Sequence, residues 1–193
     1  MAKDLAHTLG RMLRPFRPGP GAFASRRPWR AGCPKTITLE SAAFENNGPM
    51  PDRHTAYGDG LSPPLAWRDL PPTTRSLALL VEDADAPSLR PLVHAILVGI
   101  PASSSGLAEG AIPPVQRGPA SGGWLVGRNS LGRCGWLPIM PPPGHGPHRY
   151  GFQLFALDAE PAWQWPPGRG FMLKTIAPHI VGRGELIGLY RRK

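Results

Sequence analysis

Cysteine is scarce: Cys33 and Cys134 are the only two in 193 residues. They stand far apart and lack zinc-type spacing. Neither a disulfide framework nor a structural zinc site is expected, and free thiols in a reducing, cytoplasmic compartment are the default reading. No apolar run approaches the roughly 18 residues of a membrane-spanning helix. The start of the chain carries no apolar stretch of the signal-peptide kind. Acid is scarce there too, since residues 1–35 hold one acidic side chain, Asp4, against eight Lys or Arg. No segment repeats, and helical periodicity is confined to a short stretch near the end.

What is abundant is proline (26) and glycine (24), spread along the whole chain. Such punctuation yields short segments between turns and excludes a helical bundle. The length suits one domain with a short extension. A body of about 150 residues buries roughly 70% of its unfolded surface, enough for a core without staples. The net charge of +9 is uneven, with +7 of it in residues 1–35, so the body, residues 36–193, is nearly balanced. A basic arm of this kind meets phosphate backbones or acidic membrane surfaces. With few apolar residues to fold around, residues 1–35 are expected to be disordered. Nucleic-acid binding would rest on that arm alone and is not expected of the body. The arm is Arg-rich like a transit peptide, but Pro15, Pro18, Pro20 and Pro28 interrupt the amphipathic helix such peptides form.

Strands dominate the pattern. Residues 35–44 alternate apolar and polar, as a half-buried strand does. A short strand is expected at 65–67. Residues 76–83 form a continuous apolar run, which implies burial on both faces, and 93–100 are its counterpart. Alternation returns over 148–158. A short or broken helix is expected within 170–182, where Pro178 would interrupt it, followed by a last strand near 186–190. The expected fold is therefore all-β in the main: an antiparallel β-sandwich with a short C-terminal helix.

Four polar residues stand at ends of apolar strands: Asp83, Asp85, His94 and His148. Taken singly, each has a bland reading. Asp-x-Asp before proline is ordinary turn chemistry, and a strand-end histidine is commonly a satisfied structural residue. Taken together they are more. If the strands are neighbours, a carboxylate and two imidazoles share one edge. A nearby acid favours imidazolium and raises a histidine pKa. Such a group can donate hydrogen bonds to a phosphate or carboxylate. The long Gly/Pro loop at 129–147 could add backbone N–H donors, and loops of that length are usually functional or disordered. No serine or cysteine sits in a recognisable nucleophile setting, so no catalytic residue is assigned. Two Asp and two His could ligate a divalent ion, but no compact ligand spacing occurs, and neither metal nor cofactor is expected.

Five motifs then occur in order: SPPLAW (62–67), DADAP (83–87), HAILVGIP (94–101), PPPGHGPHRYGFQLFALD (141–158) and HIVGRGELIGLYRR (179–192). In these the chain resembles the phosphatidylethanolamine-binding proteins, specifically their bacterial, Raf kinase inhibitor-like branch, over residues 37–191. The resemblance implies a sandwich with a small pocket at one end, binding a phospholipid phosphate head or another small anion. Position by position it implies a pocket wall of Asp83, His94, Pro141, Pro142, His148 and Tyr150. Asp85 matches the second acid of the box and is expected to brace its loop. Alternation turns Arg149 to the opposite face from its neighbours, where bracing the acidic box is its expected role. The chain departs from the family at Ala84, at Leu92, Val93 and Ala95 around His94, and in the bulky Leu137, Pro138 and Ile139, so a rebuilt rim is expected. The function expected is non-catalytic binding of a small phosphoryl or carboxylate ligand. The alternatives are an inhibitor-like protein that docks a kinase or protease, and a metal-dependent hydrolase. Self-association into a homodimer is left open.

Overall fold

A computed structural model describes residues 2–26, 34–114 and 123–192. Cys33 and part of the irregular stretch 103–123 lie outside the described residues. The body is organised around β4 (Ser76–Asp83), all eight residues of which are buried. It pairs antiparallel with β5 (Leu92–Pro101) on one side and β8 (His148–Leu157) on the other. Next to β8 lies β9 (Ile180–Tyr190), also antiparallel. The edges are short: β2 (Gly48–Pro49) beside β9, and β7 (Leu125–Val126) beside β5. A second sheet holds β1 (Thr38–Glu40), β3 (Leu65–Arg68) and β6 (Gly106–Leu107).

The continuous apolar run of β4 has a direct cause. Leu77, Leu79 and Val81 share a core with Leu39, Leu65 and Trp67 of the small sheet. The alternate residues Ala78 and Leu80 pack with Met172, Leu173 and Ile176 of α2 (Arg169–Ile176) on the other face. Each Leu, Val, Ile or Met among them contributes about 1.5–3 kcal/mol by burial. The protein is thus all-β in the main, with two sheets sharing one core and a short helix behind. Two details differ from the sequence-based expectation. The pairing of β2 with β9 is parallel. Pro178 does not kink a helix; it opens a 3-10 turn (Ala177–His179) after α2 has ended, so Ile180 and Val181 begin the last strand. Among the described residues no helix is long and apolar enough to cross a membrane.

The expectation of a disordered arm gives way, over residues 2–26, to a docked segment. It comprises a helix, α1 (Ala2–Leu13), and two 3-10 turns (Pro20–Ala22, Ala24–Arg26). The reason lies in the body. β4 and β8 carry buried Glu82 and Gln153 inside apolar strands, and buried polar groups need partners. The Ala24 amide donates to Glu82 Oε2 at 3.1 Å and the Ser25 amide to Gln153 Oε1 at 2.7 Å. Arg169 of α2 takes the other Glu82 oxygen at 2.5 Å. Phe23 is fully buried beside Ala84 and Ile187. It fits because Gly151 has no side chain: a Cβ there would lie 2.7 Å from the Phe23 ring. One aromatic anchor and a few matched hydrogen bonds suffice where composition alone predicts disorder.

Candidate functional site

Strand register brings the polar residues together. Asp83, the last residue of β4, lies opposite Tyr150 of β8 and Leu92 of β5. The end of β4 therefore meets the beginnings of both neighbours. His94 is placed by a bulge: Val81 pairs with Ala95 but Glu82 with Val93, so His94 is the extra residue. Bulges re-aim side chains in this way. Asp83, His94 and His148 all line one cavity of about 230 Å³, with Pro141 and Pro142 in its wall. Leu137 and Met140 line the cavity too, without filling it. Tyr150 sits close to both imidazoles instead of on the cavity wall. Its ring is edge-on to His94 at 5.2 Å and stacked with His148 at 6.3 Å. Its buried hydroxyl finds no partner among the described residues, and burial pushes its pKa well up.

Hydrogen-bond roles assign the protons. His145 Nε2 lies 3.0 Å from the Leu13 carbonyl, which only accepts, so Nε2 carries a proton. Burial lowers the His145 pKa and favours the neutral ring, leaving Nδ1 as an acceptor. Arg17 Nη2, which only donates, points at that same Nδ1 at 3.4 Å. His148 Nε2, 2.8 Å from His145 Nδ1, must then donate to it. On its other side His148 Nδ1 donates to Asp83 Oδ2 at 2.7 Å. The result is a hydrogen-bonded chain, Asp83–His148–His145, that ends on the backbone of α1. His145 was quoted in the sequence motif but given no role; its signal was the spacing of two histidines, three apart, across a glycine.

His94 behaves differently from expectation. Its Nδ1 donates to the Leu137 carbonyl at 2.6 Å, and the Leu137 amide donates back to the His94 carbonyl at 2.9 Å. Its Nε2 is buried with no partner among the described residues. The nearby Asp83 charge was expected to raise the pKa. Burial instead lowers it, outweighing Asp83 and the Leu137 hydrogen bond. His94 is a neutral imidazole with an open acceptor nitrogen. The loop around it offers fewer amides than expected, since those of Trp136 and Leu137 are already bonded to Pro113 and His94 carbonyls.

The acidic box divides its work. Asp83 Oδ1 accepts from the Asp85 amide at 2.8 Å and thereby fixes the turn. The buried Asp85 carboxylate meets Arg149 through Nε at 2.7 Å and Nη2 at 2.5 Å, and it also accepts from the Arg149 amide at 2.8 Å. Burial by itself would raise the Asp85 pKa; hydrogen bonds and charge from Arg149, with Arg17 beside it, hold it below its ordinary value. Glu82, the first acid of the run, faces the Arg169 side and does not line the cavity. Among the described residues no group of three or more His, Cys, Asp or Glu is placed to hold a metal ion.

A small end-of-sheet cavity walled by prolines and imidazoles, on an all-β body, defines a ligand-binding protein. Residues 40–191 match the family described as phosphatidylethanolamine-binding protein, and the chain belongs to that family. It is 38% identical over 156 residues to a UPF0098 protein of Methanothermobacter thermautotrophicus, covering 81% of this chain and 99% of the relative. A UPF0098 protein of Aquifex aeolicus is 36% identical over 154 residues, covering 79% of this chain and 86% of that one. Among solved structures, the homologue CT736 of Chlamydia trachomatis superposes with a TM-score of 0.73 at 32% identity, over 82% of this chain and 99% of that chain. E. coli YbcL, described as a member of the mammalian PEBP family, gives 0.74 at 26% identity over the same shares. The family match leaves out residues 2–26, which carry Leu13 and Arg17 to the site.

Proposed function

We propose that the protein binds a small phosphoryl or carboxylate group in this cavity without transforming it. The observation that carries the reading is His94 Nε2, a buried ring nitrogen with no partner among the described residues, on a wall shared with the Asp83–His148 pair. An anion arriving there is met in one of two ways. A protonated phosphoryl group donates its O–H to neutral Nε2. A fully ionised group draws a proton onto His94, which then donates. The hydrogen-bonded Asp83–His148 pair shapes the wall beside it. The remaining lining is largely apolar and suits the non-polar substituent of such a ligand. Among the described residues no serine, threonine, cysteine or lysine lines the cavity, and its one carboxylate, Asp83, is engaged by His148 and the Asp85 amide, which supports binding over covalent catalysis.

The test is calorimetry with inorganic phosphate and with glycerophosphoethanolamine on the full chain. Wild type is expected to bind, and His94→Gln to bind about tenfold more weakly, the loss of one hydrogen bond to a charged group. Equal affinity in both proteins, or no heat from either compound, would overturn the assignment.

A further inference from the structure

Helix α1 is mounted with its apolar face outward. An amphipathic helix on a soluble body normally turns that face inward. Here the side carrying His7 and Gly10, with Arg14 just past the helix end, meets the loop at 143–147. A Cβ on Gly10 would lie 2.0 Å from the Pro143 carbonyl oxygen, and one on Gly144 would lie 2.4 Å from the His7 carbonyl oxygen. Arg14 Nε donates to the Gly144 carbonyl at 2.9 Å. The loop and helix backbones are thus in contact, which only glycine permits. Leu5, Leu9 and Met12, at the i, i+4, i+7 spacing of one helical stripe, are 72%, 55% and 68% exposed. Phe16 continues the stripe at 65%, and Leu89 across the groove from it is completely exposed. Single exposed apolar residues need no explanation, but a contiguous stripe marks an interaction surface.

We propose that this stripe is an interfacial anchor, docking the protein onto an anionic lipid bilayer. Charge selects the occupant. Exposed Arg11 lies on the polar side of the same helix, bonding back to Thr8 at 3.3 Å, and exposed Arg14 follows just past its end. The segment 1–35 carries +7. A second copy of the chain would set two such basic segments face to face, whereas an anionic surface attracts them. Helices of this type lie in the interface with their apolar side chains about 5–10 Å below the headgroups and their basic side chains among them. The groove of Leu13, Phe16 and Leu89 shares Pro87 with the ligand cavity, so docking sets the cavity mouth near headgroup level. The anchor stands whether or not the cavity binds a phosphoryl group.

Co-sedimentation of the full chain with vesicles tests it. Vesicles of phosphatidylglycerol and phosphatidylcholine in equal amounts are compared with phosphatidylcholine alone. Wild type is expected to partition onto the anionic vesicles and to be released by added salt. Leu9→Glu and Met12→Glu, both surface changes, should each lower the partition constant about tenfold or more, with the thermal unfolding midpoint unchanged. Inorganic phosphate affinity in solution should not change in these variants, which separates failure of the anchor from failure of the cavity reading. The proposal is overturned if wild type ignores both vesicles, or if the glutamate variants sediment like wild type. It is equally overturned if the stripe proves to hold a concentration-dependent dimer that Leu9→Glu dissolves.

Discussion

His148 Nε2 donates to His145 Nδ1 across 2.8 Å, and His145 in turn donates from Nε2 to the Leu13 carbonyl. Two bonds thus connect a cavity wall with a helix outside the family match. The same helix supplies no side chain to the cavity itself. Its influence passes through the proton arrangement of two rings and through Arg17, which reaches both Asp85 and His145. The extension behaves as a back wall that fixes which ring nitrogens face inward.

Replacing His145 by alanine removes the acceptor of the His148 Nε2 proton. A buried donor left unpaired costs about 1–3 kcal/mol, so a urea unfolding curve should show a stability loss of that size. His145→Asn retains an oxygen acceptor and should recover part of it. An alanine variant as stable as wild type would mean that the ring–ring bond contributes nothing.

Anion binding should strengthen as pH falls. Burial holds the free His94 below its ordinary pKa, so it is neutral near pH 7. A bound ionised group favours imidazolium and raises that pKa, so binding takes up a proton. Affinity then increases on acidification, by at most about tenfold per pH unit, between the bound-state and free-state pKa values. Sulfate is the suitable probe, because its own charge does not change near neutrality. Titrations in two buffers of different ionisation enthalpy should report proton uptake in wild type and none in His94→Gln.

Asp85 is fully buried and depends on Arg149. Arg149→Met leaves the carboxylate with Arg17 as its nearby cation and should cost about 3–5 kcal/mol, the range for breaking a buried pair. Arg149→Lys should fall between, because an ammonium cannot reproduce the two-nitrogen contact. Adding Asp85→Asn to Arg149→Met should recover part of the loss, which a double-mutant cycle would read as coupling. Additive losses would show that the brace is not a pair.

The central strands and the convergence of Asp83, His94 and His148 were legible because local pattern and tertiary placement agree there. The apolar run 76–83 is β4 residue for residue, and the polar residues that interrupt such runs at their ends converge where the register brings those ends together. What stayed hidden is long-range. The bulge that places His94 depends on pairing with β4, which sequence alone does not fix. The lowered His94 pKa depends on how completely it is buried. The order of residues 2–26 was missed because composition records what a segment contains, and its partners lie elsewhere. Glu82 and Gln153 in apolar strands were the available signal, since each requires a partner from another part of the chain.

The extension should undock in acid and on loss of its aromatic anchor. Burial raises the Glu185 pKa, but hydrogen bonds from Arg26 and Ser25 and the charge of Arg26 lower it by more. A depressed carboxylate contributes stability above its unfolded value, about 4.3, and that contribution is lost as pH falls through the folded value. Asp85, also depressed and touching Arg17, acts in the same direction. Hydrogen exchange at the Ala24 and Ser25 amides, which donate to Glu82 and Gln153, should therefore lose protection below about pH 4 before the central strands do. At neutral pH, Phe23→Ala deletes a fully buried ring, a loss of about 3–5 kcal/mol where the site does not collapse. That is enough to release a segment held by few other apolar contacts. Trypsin, which does not cut the Arg17–Pro18 bond, should then cut after Arg26 many times faster while the body stays intact. Gly151→Val, which drives a side chain into the space of the Phe23 ring, should give the same pattern without touching the extension. Cleavage at the wild-type rate in both variants would show that Phe23 does not hold the segment in place.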